Sequence, residues 1–193
     1  MKTRILGVDP GSRVTGYAIL DCQTNTFVSP CCDTLSLTDI ADPHERLLRL
    51  YSFFSELINS YKPDYCSIET PVYGKDPAAM LKLGRAQAAI IMATLHADVP
   101  LHEYYPKAVK KAITGNGNAN KDQVAYMLGK MISLPENRLT NDATDALAVA
   151  WCHHQKISDP SLTNTHEQPR SKSRNRKNSW ASFVDNHPDR IRT

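Results

Sequence analysis

The chain has 193 residues, enough for one well-buried domain and too few for two large ones. Hydrophobic residues make up 41 % of it, and no uninterrupted apolar run nears the roughly 18 residues of a membrane span, so no membrane partner is expected. The net charge of +3 belongs wholly to residues 157–193, where 7 Lys and Arg face 4 Asp and Glu; residues 1–156 balance 16 against 16, so a polyanion would have to be held there by local clusters.

The first apolar run, Thr3–Asp9, reads as a strand halted by Pro10-Gly11, and it begins too early to leave room for a secretory signal. Residues 14–21 and 26–37 read as extended segments of a hairpin or meander. The period then changes. Asp42 suits an N-cap, Pro43 the first helical position and Glu45 a capping box. Leu47, Leu50, Tyr51, Phe54, Leu57, Ile58 and Tyr61 form the apolar stripe of that helix, which Lys62-Pro63 ends. Residues 65–70 predict a buried strand running into Pro71.

Residues 78–97 predict a second helix with Met80, Leu83, Ala88, Ile91 and Leu95 on or near its apolar side. Gly84 within it costs roughly 1 kcal/mol relative to Ala, which suggests close approach of another backbone. A short strand at 100–105 precedes a basic helix from Pro106. The Gly115-Asn116-Gly117-Asn118 loop follows, then a helix from about Lys121 with Asn120 as N-cap. A last helix covers about 142–153, capped by Thr140 or Asn141. Three strands followed by alternating helices and strands predict an α/β domain over residues 1–156: a mixed sheet with helices on both faces.

Residues 157–193 are rich in Ser, Asn, Pro and Arg and lack apolar periodicity, which reads as a disordered tail. It carries a basic run at Arg170, Lys172, Arg174, Arg176 and Lys177; Trp180, Phe183 and Val184 could form a short docking segment. The five cysteines, Cys22, Cys31, Cys32, Cys66 and Cys152, are odd in number and form no C-x-x-C pair. They read as small hydrophobes of a reduced, cytoplasmic protein, with neither a disulfide framework nor a zinc site.

Four carboxylates point to one site. Asp9 ends the first strand and Glu69 lies near the end of another, and parallel sheets carry their chemistry at such carboxyl ends. Asp142 and Asp145, three apart on a helix, share a face. Mg²⁺ takes a few carboxylates plus water and substrate phosphate. Two such ions about 3.5–4 Å apart suit in-line phosphoryl displacement. Each residue also has a plainer reading: Asp9 as a turn residue, Asp142 as a favourable charge at a helix start, Asp145 as a solvated side chain. Glu69 fits a plain role least well, because an ionised Glu in an apolar strand is costly without a partner.

At these residues the chain resembles a known family. Residues 5–18, Ile-Leu-Gly-Val-Asp-Pro-Gly-Ser-Arg-Val-Thr-Gly-Tyr-Ala, are similar to the N-terminal signature of the RuvC crossover junction endodeoxyribonucleases. Ile68-Glu69, then Met80-Leu81-Lys82-Leu83-Gly84, and Asn141-Asp142-Ala143-Thr144-Asp145-Ala146-Leu147-Ala148 match further blocks in order, covering about residues 2–154. The resemblance implies a ribonuclease H-like fold with a five-stranded mixed sheet, and a homodimer that nicks four-way (Holliday) junctions symmetrically during recombinational repair alongside a RuvA–RuvB branch-migration complex. It implies that Asp9, Glu69, Asp142 and Asp145 are catalytic and hold two Mg²⁺ ions, with Mn²⁺ able to substitute, and that the helix around Gly84 forms the dimer. By the same resemblance Lys110 and Lys121 fall where the family has phosphate-facing lysines. Lys107, Lys110 and Lys111 also share a helical face, which a solvated basic surface would explain as well.

One departure stands out. Where the family commonly carries a base-stacking aromatic this chain has Val72, and Tyr73 follows it. Tyr73 is either the stacking residue, shifted by one, or a packed loop residue. Two rival functions remain: a junction-binding protein without catalysis, which the four retained carboxylates oppose, and an actin-like ATP-binding protein, for whose paired domains the chain is too short.

Overall fold

The computed structural model describes residues 2–24, 26–72, 76–134 and 140–159. Strand β1 (Thr3–Asp9) buries Ile5 on one side and Leu6 and Val8 on the other, as suits a central strand covered on both faces. It pairs antiparallel with β2 (Val14–Gln23), which pairs antiparallel with β3 (Thr26–Ser36). On its other side β1 runs parallel to β4 (Tyr65–Glu69), and β4 runs parallel to β5 (Leu101–Tyr104). The sheet order is therefore β3-β2-β1-β4-β5. Pro30 lies in β3, an edge strand, opposite a register shift between Ile19 and Asp21, where its missing N–H is tolerated.

Helix α1 (Pro43–Tyr61) starts as expected: the Asp42 carboxylate accepts from the Glu45 N–H at 2.8 Å, and Pro43 opens the first turn. It ends at Lys62, whose left-handed backbone (φ 49°) directs its N–H to the Ile58 carbonyl. Helix α2 (Pro77–His96) begins one residue earlier than the sequence suggested, because the Asp76 carboxylate caps the N–H groups of Ala78 and Ala79. Both helices cover one face of the sheet, over Leu6, Val8, Ile19, Phe54, Ile68 and Ile90.

The other face carries α3 (Pro106–Thr114), α4 (Lys121–Met131) and α5 (Asn141–Ser158), with a core of Ile5, Leu20, Val109, Leu128, Leu147 and Trp151. Helix α5 continues to Ser158, five residues past its expected end, and residues 146–153 are all buried. This sandwiched helix is built from small residues for a geometric reason. Cβ atoms added at Gly7 and Gly16 would overlap the carbonyl oxygens of Ala146 and Asp142, so glycine lets α5 lie directly on β1 and β2. Near its far end the Tyr104 hydroxyl and His153 Nδ1 are 2.7 Å apart, and burial holds the His153 imidazole down at about 3, hence neutral.

Two features of α2 bear on the expectations. A Cβ at Gly84 would meet nothing within 4 Å among the described residues, so no described backbone of this chain approaches it. Helix α2 is also long and apolar enough, as a window average, to cross a membrane, since Lys82 and Arg85 interrupt the apolar run without lowering the average enough. Ala86, Ile90, Ala93 and Thr94 are nevertheless buried in the domain, and a second apolar stripe faces outward. The tail expected from residue 157 loses its first two residues to α5, and residues 160–193, with the basic run, lie outside the described residues.

Candidate active site

Two parallel strands end side by side. The register Val8↔Ile68 brings the next residues, Asp9 and Glu69, to the same carboxyl edge of the sheet. Strand alternation aims both toward the α5 face, in line with Gly7 and Ser67. Helix α5 enters at that edge: the Thr140 hydroxyl caps it through the Ala143 N–H, which puts Asp142 in its first turn and Asp145 a turn further on. The Gly16 contact seats that first turn against β2.

As a result, carboxylate oxygens of Asp9, Asp142 and Asp145 lie within 4.8 Å of one another. Glu69 is outside this trio but lines, with Asp9, Asp145, Lys110 and Lys121, a recess of about 260 Å³. Lys107 and Lys111 are not among its lining residues, so of the basic helical face only Lys110 joins the site. Tyr73 lies outside the described residues.

The charges interact strongly. Burial, then Asp145, then Asp142 push the Asp9 carboxyl up to about 7; burial, then Asp9, then Asp145 do the same to Glu69. At neutral pH the site therefore holds closely spaced carboxyls that resist full ionisation without a cation. Lys121 Nζ is 2.6 Å from Asp145 Oδ2, and this hydrogen bond raises the lysine's pKa. The donors are all carboxylate oxygens, without sulfur or imidazole, which fits a hard divalent cation such as Mg²⁺ or Mn²⁺.

Three supporting features escaped the sequence reading. Gly7 and Gly16 seat α5. Buried Thr15 shapes the loop after Asp9 by accepting from the Gly11 N–H at 3.1 Å and donating to the Gly11 carbonyl at 2.9 Å. The Lys121–Asp145 ion pair depends on how α4 docks beside α5. Glycine inside a strand pattern was the available signal for the first of these.

Comparison with known proteins agrees with this architecture. A crossover junction endodeoxyribonuclease RuvC from Salinibacter ruber is 44 % identical over 187 residues, spanning 97 % of this chain and 98 % of that protein. Its counterpart from Porphyromonas gingivalis is 40 % identical over 190 residues, spanning 97 % and 96 %. The structure of Thermus thermophilus RuvC in complex with a Holliday junction substrate superimposes with a TM-score of 0.75 at 25 % identity, covering 80 % of this chain and 94 % of that one. The fold is thus a ribonuclease H-like α/β fold. The family model for crossover junction endodeoxyribonuclease RuvC matches residues 5–153, and the chain belongs to that family.

Proposed function

We propose that this protein is a divalent-metal-dependent endonuclease that resolves four-way (Holliday) DNA junctions by symmetrical paired nicks during recombination and repair. The observation that carries this reading is the gathering of carboxylates from β1, β4 and α5 at one sheet edge, in a recess that also receives Lys110 and Lys121. A relative of the same fold, Thermus thermophilus RuvC, is known in complex with such a junction.

In this reading Asp9, Glu69, Asp142 and Asp145 are the catalytic residues and hold two Mg²⁺ ions, with Mn²⁺ able to replace them. When bound, such ions supply Lewis acidity for in-line attack of water on a phosphodiester. The chain's own groups do the rest. The rigid edge of β1 and β4 fixes Asp9 and Glu69 relative to the α5 pair, so the donors are organised before substrate arrives. Lys110 and Lys121 hold backbone phosphates beside the cut, which positions DNA without reading its sequence. Lys121 pairs with Asp145, and with that carboxylate engaged by a cation its ammonium would be free to hold a phosphate.

Two opposed strands must be cut, which calls for two sites. Helix α2 supplies a surface for pairing: Leu81, Gly84, Ala88, Met92 and Leu95 recur at helical spacing and face outward. We assign this stripe to a homodimer interface, working in the cytoplasm with a RuvA–RuvB branch-migration complex. The test is substitution. Asp9→Asn, Glu69→Gln, Asp142→Asn and Asp145→Asn should each abolish junction cleavage in Mg²⁺ while sparing junction binding in its absence. Full activity from any one of them removes that residue from the site.

A further inference from the structure

A second basic recess lies on the other face of the same sheet edge. It has a volume of about 110 Å³ and opens between the start of α1 and the first half of α2, where Ser12, His44, Arg46, Lys82 and Arg85 line it above Leu50. No acidic residue is among its lining. Among the described residues, Lys82, Arg85 and Arg46 have no ion pair. Arg46 is held by a 2.7 Å hydrogen bond from its Nε to the Ile40 carbonyl, which fixes the guanidinium at the recess wall. Asp42 sits 3.7 Å from His44, but its other carboxylate oxygen is engaged in capping α1. The first turn of α1 borders the recess as well, its dipole offset by the Asp42 cap and Glu45, so the recess owes its charge to the side chains.

Position gives this recess its meaning. Ser12 follows Asp9 by three residues, so the two are at most roughly 11 Å apart along the chain. A DNA strand advances roughly 3.4 Å per nucleotide, so that reach spans about three nucleotides. The site with Lys110 and Lys121 lies on the α5 face, whereas α1 and α2 lie on the opposite face. A DNA strand laid across the Pro10–Gly11 turn would meet cations on both sides of the carboxylates.

We propose that this recess binds a backbone phosphate of the junction arm that continues past the cut, with Lys82 and Arg85 as its principal contacts and Arg46 as a fixed wall. It thereby favours a substrate whose strand changes direction at the site over a straight duplex. The proposal rests on the junction-resolvase reading and adds a contact to it.

The experiment compares the wild-type protein with the Lys82→Gln/Arg85→Gln double variant, both side chains being exposed. Binding to a synthetic four-way junction and to a linear duplex is followed by fluorescence anisotropy across a salt series without Mg²⁺. Sedimentation velocity and thermal unfolding are run on both proteins. The variant is expected to bind the junction about tenfold more weakly, with a salt slope smaller by about 1 to 2, while duplex binding changes much less. Unchanged junction affinity and slope, or equal losses on junction and duplex, overturn the proposal. A variant that no longer self-associates also overturns it, because the cations would then serve the interface. A wild-type protein that cuts the junction in Mg²⁺ beside an unaffected variant refutes the recess alone; a wild-type protein that neither binds nor cuts the junction refutes the resolvase reading as well.

Discussion

Replacing Asp9 by Asn in the metal-free protein removes one charge from a site that repels itself. The wild-type carboxyl is raised from 3.8 to about 7, so the folded protein binds more protons than the unfolded chain between those values. Stability contributed by this group therefore falls as pH rises through the window, and the loss is complete above about 7. From pH 5 to pH 7 the span of two pH units corresponds to about 3 kcal/mol at most. Asp9 is only partly buried, and solvent screening reduces that to about 1 kcal/mol. For a domain of this size, 1 kcal/mol shifts Tm by roughly 2–4 °C. The advantage of Asp9→Asn over wild type should grow by that amount between pH 5 and pH 8, read from thermal unfolding by circular dichroism in EDTA. His153 acts in the opposite sense: held near 3 against 6.5 in the unfolded chain, it costs stability as pH falls below about 6.5. Both proteins share that contribution, so it cancels in the difference. A Tm difference that stays flat with pH, or a variant less stable than wild type at pH 8, would refute the reasoning.

Gly16→Ala drives a methyl group into the Asp142 carbonyl, and the expected result is a folded protein destabilised by about 1–3 kcal/mol. Its cleavage rate should fall by about 10²-fold, measured with saturating Mg²⁺, because a shift of roughly 1 Å in the first turn of α5 misplaces Asp142. Lys121→Ala should bind Mg²⁺ more tightly by isothermal titration calorimetry, since the ammonium no longer competes for Asp145. The same variant should bind junctions more weakly, with a salt slope smaller by about 1; unchanged Mg²⁺ affinity contradicts the competition. Met92→Asp places a charge in the outward stripe of α2; sedimentation velocity is expected to report a dimer for the wild type and a monomer for the variant.

The order and type of the elements were legible because each announces itself locally. Pro10 stops β1, Asp42-Pro43 starts α1, and Asn120 caps α4. The carboxylates were legible as types at strand ends and on one helix face, and the ordered motif blocks linked them. Docking was not legible. Nothing in the local pattern says that Lys121 reaches Asp145, because that pair spans 24 positions and depends on how α4 meets α5. The glycines show the same limit. Gly84 drew attention as an anomaly within a helix, yet its surroundings in the chain are open, whereas Gly7 and Gly16 passed as ordinary strand residues while setting the contact that brings Asp142 to Asp9. A residue chosen for what it lets another element do leaves a weaker trace than one that acts itself.

The most direct measurement of the central claim is cleavage of a synthetic four-way junction, with both candidate strands labelled, in Mg²⁺ and against a linear duplex of the same sequence. The account predicts two nicks at symmetrical positions in opposed strands, an intact duplex, and no product in EDTA. Junction binding without nicks in Mg²⁺ or Mn²⁺, across junctions of varied core sequence, would contradict it.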